Sequence, residues 1–237
     1  MNNLKVAYKI LILSVISVAA MLLIGYTGYS YMTKASTDMD IMYYQKLQAI
    51  RHLSEARLSV RIVQASILEN DAADSAERQQ LTQEMNNGIA KFNTSWSAYE
   101  KVVAMTEVPA DVQTKINATR TDWNDFQKTA QEIITLQNAG KVQEGAALYR
   151  SKCVPLLGKI KTNTIELQDR ANTNAENLND QNTADTVTAI RIMLIKILVT
   201  FVILLLVSFW ISREITRPVY TVIEACGKLR DGDFRVM

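Results

Sequence analysis

Residues that interrupt helices are scarce in this chain of 237 residues, which contains only 8 glycines and 3 prolines. This composition argues against a turn-rich β-sandwich and against a low-complexity chain, because both are rich in turn-forming residues. Basic residues never cluster in groups of five or six, which argues against a strongly basic nucleic-acid-binding protein. We therefore expect no nucleic acid among the partners of this protein.

The residue types that bind metals or perform catalysis are also few. His52 is the single histidine, and it has no cysteine or carboxylate cluster at ligand spacing, so we expect no metal site. The sequence contains no glycine-rich phosphate loop, no Gly-x-Ser-x-Gly motif and no cysteine–histidine pairing. We therefore expect neither catalytic residues nor a cofactor, and we expect His52 to lie on a solvated helix face.

Long stretches without any charge are present instead. Residues 10–32 contain no acidic or basic side chain, and neither do residues 197–211. The intervening residues 33–190 carry more acidic than basic side chains, whereas the flanking segments are basic. The formal net charge of +2 is therefore the sum of a mildly acidic middle and basic flanks.

The two uncharged stretches predict transmembrane helices, because a bilayer core needs about 20 apolar residues in a helix. Residues 10–32 end in Tyr26, Tyr29 and Tyr31, whose rings suit the headgroup region. A cleaved signal peptide would have a shorter apolar region and a small-residue cleavage site, so we predict an uncleaved helix. Residues 191–211 form the second predicted span if Lys196 snorkels toward the headgroups.

Basic residues flank both predicted spans on the side of the chain termini. They are Lys5, Lys9, Arg213 and Arg217. The positive-inside rule therefore predicts that residues 1–9 and the C-terminal residues are cytoplasmic and that residues 33–190 lie outside. Cys153 and Cys226 would then be on opposite sides of the membrane and could not pair within one chain. We expect Cys153 to be a free, packed thiol, with an intermolecular disulfide as the alternative.

Residues 33–190 have the periodicity of α-helices, since apolar residues recur at steps of three and four. One repeating set is Leu81, Met85, Ile89, Phe92, Trp96, Tyr99 and Val103, and the other is Val112, Ile116, Thr119, Trp123, Phe126, Ala130 and Ile133. Asp74 with Glu77 resembles a capping box, Pro109 suits a first helical position and Gly140 suits a helix stop.

These breaks predict helices over residues 34–69, 75–106, 109–138 and 142–190. The connections between them are short, which predicts an antiparallel up-down-up-down bundle. The predicted fold class is thus all-α, a membrane-anchored four-helix bundle with two transmembrane helices and a further cytoplasmic helix.

Arginines on the first bundle helix are candidates for anion binding, because a guanidinium group presents forked donors that suit carboxylates. Arg57 and Arg61 are four residues apart and share a helix face, and Arg51 lies about a quarter turn or more away. Arg61 has no acidic residue four positions away. The alternative is a set of solvated or intrahelically paired arginines.

The first and fourth bundle helices have poorer apolar seams than the other two. Residues 166–185 are notably polar, with Leu167, Ala171 and Leu178 spaced among asparagine and threonine. Such a surface predicts a second seam that packs against another copy of the chain, as in a coiled-coil homodimer with polar layers. A weakly packed, solvated stalk is the alternative.

The segment after the second span has an apolar pattern that steps by four and three, as in a coiled-coil seam. The seam residues are Ile215, Val219, Val222, Cys226 and Leu229. With Pro218, Glu224 and the Gly-Asp-Phe motif at 232–234, residues 212–237 resemble the first helix of a HAMP linker. The resemblance implies that these seam and motif residues transmit a signal.

Together with the spans and the bundle, this segment resembles the N-terminal sensory half of a bacterial methyl-accepting chemotaxis protein. Residues 140–149, leading to Pro155, are similar to the start of the fourth helix in that family. The resemblance implies a non-enzymatic receptor in the inner membrane, in contact with membrane lipid, whose homodimer binds a small-molecule ligand between first and fourth helices. Cytoplasmic signalling proteins would bind a C-terminal part beyond Met237.

In that family, arginines of the first helix hold the ligand carboxylate. Arg57 and Arg61 match the Arg-x-x-x-Arg part of the motif, and Arg51 is one residue out of register with its leading arginine. The resemblance therefore implies an anionic ligand held by Arg51, Arg57 and Arg61. Leu156 stands where the amino-acid receptors have a ligand-contacting threonine after the proline, so it does not imply aspartate or serine as the ligand.

Two other interpretations remain open on the sequence. The sensor modules of histidine kinases and diguanylate cyclases share the bundle and the HAMP linker. A structural two-span membrane protein is the third possibility, although a tether does not need a HAMP-like helix after a span.

Overall fold

The computed structural model describes residues 6–230, and every element of regular secondary structure within that range is helical. The elements are α1 (Val6–Ile41), a first π segment (Met42–Leu47), α2 (Gln48–Glu69), α3 (Ser75–Val103), α4 (Ala110–Asn138), α5 (Val142–Leu148), a second π segment (Tyr149–Cys153) and α6 (Val154–Arg230). The predicted all-α class is confirmed.

The chain divides into two compact units. One is Thr37–Gln181, which we call the bundle unit. The other, which we call the helix-pair unit, contains the described residues on either side of it, in α1 and α6.

The bundle unit is an antiparallel four-helix bundle, in agreement with the prediction. Ion pairs between α4 and α6 show this, because residue numbers rise along one helix as they fall along the other. The pairs are Asp111 with Arg170, Lys115 with Glu166 and Asp122 with Lys159. The same opposite order relates α3 to α4, where Trp123 Nε1 donates to Asn93 Oδ1 at 2.8 Å.

The core collects inward residues from all the bundle helices, and its aromatic part lies between α3 and α4, on the two apolar seams read from the sequence. Nearly all of the predicted seam residues are buried; Leu81 and Val103 are half-buried. Phe92 stacks on Trp123 with ring centroids 3.7 Å apart, and Trp96 and Phe126 extend this aromatic cluster. Aromatic side chains of this size bury a large apolar area and dominate the energetics of a core.

Cys153 is buried in the same core and forms no disulfide within the chain. Burial raises the pKa of its thiol to about 12, so the thiol stays protonated at neutral pH. The expectation of a free, packed thiol at this position is confirmed.

Local signals set the helix ends within the bundle unit. Asp74 accepts hydrogen bonds from the backbone of Ala76 and Glu77, and the Glu77 carboxylate accepts one from the Asp74 backbone, so the capping box is present. Gly140 has a φ of +78°, the left-handed conformation that ends a helix. Two bounds differ from the prediction: α3 ends at Val103, where a turn follows, and Pro109 is the N-cap of α4.

The helix-pair unit is also antiparallel. Lys9 pairs with Glu214 and Lys34 pairs with Asp185. Between these ion pairs the Lys196 ammonium group donates to the Thr27 hydroxyl at 2.7 Å. Lys5 lies outside the described residues.

Both helices of this unit contain segments long and apolar enough to cross a membrane, with mean hydropathy of 2.4 and 2.9. Large apolar side chains such as Leu22, Leu206 and Phe209 are exposed along them. Side chains of this type suit contact with lipid tails, so the chain is a membrane protein by these features.

Close packing between α2 and α3 generates a prediction about stability. A Cβ atom added at Gly88 would lie 2.9 Å from Cγ2 of the buried Val63, whereas one added at Gly158 would meet nothing within 4 Å. Overpacking costs about 1–3 kcal/mol, and the better helix propensity of alanine returns about 1 kcal/mol. We expect Gly88→Ala to lower the melting temperature followed by circular dichroism.

Gly158→Ala is the matched control, because it gains helix propensity without the clash and should raise the melting temperature. Equal increases for both variants would contradict the close packing of α2 against α3.

Candidate ligand site

A groove between α2 and α6 collects cationic side chains at the surface of the bundle unit. It has a volume of about 290 Å³. The lining residues are Arg57, Val60, Arg61, Gln64, Leu157, Gly158, Ile160, Lys161 and Thr164. We call this the cationic groove, because three basic residues and no acidic residue line it.

The buried faces of the two helices explain how these cations come together. Val60 on α2 and Ile160 on α6 both point into the core. Their neighbours Arg61 and Lys161 are therefore turned toward the surface on either side of the groove. The hydroxyl of Tyr149, in the second π segment, accepts a hydrogen bond from Gln64 Nε2 at 3.0 Å and links the two sides.

The charges in the cationic groove are not neutralised by acidic partners. Arg57 Nη1 donates to the neutral amide oxygen of Gln168 at 2.5 Å. Among the described residues, Arg61 and Lys161 have no ion pair and no side-chain hydrogen bond. Neighbouring cations without counter-charges favour an anion, which can accept forked hydrogen bonds from guanidinium groups.

Arg51 lies apart from the cationic groove. Its Nε donates to Glu55 Oε1 at 3.0 Å, and Glu55 also interacts with His52 and Ser95. Partial burial alone would raise the pKa of Glu55, but the hydrogen bonds from His52 and Arg51 outweigh this and lower it. The structure thus brings Arg57 and Arg61 together and pairs Arg51 elsewhere. His52 is less solvated than predicted, because its side chain is only 14% exposed.

Lys161 is a groove residue that the sequence did not single out. The signal that pointed to Arg61, the absence of an acid four positions away, holds for Lys161 as well. What the sequence could not supply is the placement of Lys161 opposite Arg57 and Arg61, since that depends on how α6 packs against α2.

An exposed stripe runs along α2 beside the cationic groove. Its residues are Leu47, Arg51, Ser54, Leu58, Arg61, Ala65 and Leu68, and all of them are exposed. They alternate in steps of four and three, which is the spacing of a coiled-coil seam. Leu58 is 60% and Leu68 51% exposed, so apolar side chains contribute to this surface.

The residues expected to transmit a signal lie on the last part of α6. Ile215 is half-buried, whereas Pro218, Val219, Val222, Glu224 and Cys226 are exposed. Pro218 lies inside the helix, which continues to Arg230. The side chain of Leu229 and the motif at residues 232–234 lie outside what the structure describes.

Comparisons with known proteins agree with this architecture. A family model described as a four helix bundle sensory module for signal transduction matches residues 3–186. Neither the curated proteins nor the solved structures include a match. The match covers the bundle unit and the first apolar helix, and it confirms the resemblance to the sensory part of chemoreceptors. The chain therefore belongs to the family of four-helix-bundle sensory modules that methyl-accepting chemoreceptors use for signal transduction.

Proposed function

We propose that this chain is the sensing part of a transmembrane chemoreceptor and that it binds a small anionic ligand in the cationic groove. The observation that carries the proposal is the set of Arg57, Arg61 and Lys161, which line one groove without an acidic neighbour. Like charges held close together repel, and a bound anion would relieve that repulsion. The groove is thus better suited to an anion than to a neutral or cationic molecule.

We further propose that the receptor is a homodimer that forms along the exposed stripe of α2. The coiled-coil spacing of the stripe and its exposed leucines support a second copy of the same chain as the partner. Arg61 is on this stripe and also lines the groove. In a dimer built on the stripe, Arg61 of each copy would approach the seam, so that an anion could bridge the two copies.

We propose that α6 transmits the signal, a role supported by its continuity, since it carries Lys161 in the groove and reaches Arg230 as one helix. A ligand that binds one arrangement of α2 and α6 more tightly will shift the population toward that arrangement. We propose two membrane spans with both termini in the cytoplasm and a HAMP-type output helix. The seam from Ile215 to Cys226 would convert the shift of α6 into altered coiled-coil packing.

The proposed ligand site predicts a specific pattern of affinities. In a thermal-shift screen of organic anions and their uncharged amides, only anions should raise the melting temperature of the protein. Hydrogen bonds to charged groups contribute about 1.5–3 kcal/mol, so Arg57→Ala or Lys161→Ala should weaken binding of the selected anion by about 10- to 100-fold. Isothermal titration calorimetry would measure this change.

Lys159→Ala is the matched control, because Lys159 is two residues from Lys161 and faces Asp122 on α4. The Lys159→Ala variant should bind the selected anion with the same affinity as the unmodified protein. Unchanged affinity in Arg57→Ala and Lys161→Ala would rule out the cationic groove as the site.

The proposed dimer predicts a crosslinking pattern. In a Cys226→Ser background, Leu58→Cys should form an intermolecular disulfide rapidly under mild oxidation, because the same position of two chains would meet at the seam. Ala118→Cys, exposed on α4, serves as the control and should crosslink slowly. The rates can be followed by non-reducing gel electrophoresis in native membranes. Equal rates at the two positions would contradict the proposed seam.

A further inference from the structure

A second cavity lies in the bundle unit, at the end where α3 is connected to α4. It has a volume of about 350 Å³ and is enclosed by the first π segment, α2, α3, α4 and α6. The cavity and the cationic groove share no lining residue: on α2, Ala49 of the cavity lies about 12 Å from Arg57 of the groove at the helical rise of ~1.5 Å per residue, and on α6 the two linings adjoin at Leu167 and Thr164. The cavity is therefore separate from the groove, and its volume suits a small molecule.

The inner wall of the cavity is apolar. Ala49, Val102, Val112 and Leu167 line it and are all buried in the core. An apolar wall of this kind favours a compact aliphatic group over a charged group.

The hydroxyl of a mostly buried tyrosine on the same wall lacks a partner. Tyr99 is only 3% exposed, and its ring packs against Trp96 with centroids 5.3 Å apart. Among the described residues its hydroxyl has no hydrogen-bond partner. Burial raises the pKa of Tyr99 to about 12, so the hydroxyl remains a donor at neutral pH. The hydroxyl is reachable from the cavity, where a ligand can supply the acceptor that the protein does not.

Charges around the opening of the cavity balance. Arg170 is paired with Asp111, and Lys46 and Glu107 add one charge of each sign. Gln45 and Asn174 contribute neutral amide groups. Unlike the cationic groove, this opening gives no preference for an anion, so its polar recognition is that of an uncharged molecule.

The helix next to the cavity has an unusual local geometry. Gln45 and Lys46 belong to the first π segment, where the helix is wider than an α-helix. Single π turns inside α-helices are rare, and they occur often at functional sites. The π geometry is an observation independent of the Tyr99 hydroxyl, and it also indicates a functional site at this cavity.

We propose that the cavity is a second ligand site, which binds a small uncharged molecule with a branched aliphatic body and a carbonyl or hydroxyl group that accepts a hydrogen bond from Tyr99. The aliphatic body packs against Val102, Val112 and Leu167. The amide groups of Gln45 and Asn174 lie within the same cavity and complete the polar contacts. The inference is independent of the ligand proposed for the cationic groove.

Three probes with one carbon skeleton test this site: isovaleramide, isovalerate and isoamylamine, which are neutral, anionic and cationic. Each is titrated into the full chain in lipid nanodiscs and followed by saturation-transfer NMR, with nanodiscs lacking protein as the blank. We expect isovaleramide to bind saturably and at least tenfold more tightly than the two charged probes. Failure of isovaleramide to bind, or equal binding of a charged probe, would overturn the proposal.

Two substitutions locate the binding. Tyr99→Phe removes only the hydroxyl and should weaken isovaleramide binding about fivefold, the value of one hydrogen bond. Ala171→Leu, at a half-buried lining position on α6, should fill the cavity and abolish binding. Melting temperatures confirm that both variants fold, and Arg57→Ala should leave the affinity for isovaleramide unchanged. If Tyr99→Phe and Ala171→Leu both bind isovaleramide with unaltered affinity, the cavity is not the site.

Discussion

The stacking of Phe92 on Trp123, with centroids 3.7 Å apart, joins α3 to α4, and the remaining packing of the bundle unit is arranged around it. The bulkiest buried side chains, Trp123, Phe92 and Phe126, come from these two helices, and aromatic rings of this size bury a large apolar area. α2 and α6 add aliphatic residues such as Leu53, Ile67 and Ile160 to the same core. Their outward faces are thus available for polar and charged side chains that recognise ligands and partners.

The two cavities between α2 and α6 differ in chemistry because charge is distributed differently along the same helices. In the cationic groove, Arg57 is bonded to a neutral amide and Lys161 has no acidic partner among the described residues. At the other cavity, α4 contributes Asp111, which pairs with Arg170 and removes the excess positive charge. One pair of helices can therefore present an anion site and a neutral site at different levels along its length.

Both cavities lie close to a π segment. Gln45 and Lys46, which line the neutral cavity, belong to the first, and Tyr149, which bonds to Gln64 of the groove, belongs to the second. A π turn includes one more residue than an α turn, so it changes the direction in which the following side chains point. These two turns thus help to set the orientation of the side chains that surround each cavity.

Local patterns were enough to predict the seams of α3 and α4, the Asp74 capping box and the left-handed Gly140, because each depends on residues within a few positions of one another. The pairing of Arg57 and Arg61 on one face could also be predicted, because both residues are on the same helix. The sequence could not predict the hydrogen bond of Arg57 to Gln168 or the unpartnered hydroxyl of Tyr99. Both depend on the rotation and register of helices that are distant in the chain. Core packing and the π turns set the rotation and register of these helices, and the 3.6-residue periodicity of a sequence gives information on neither.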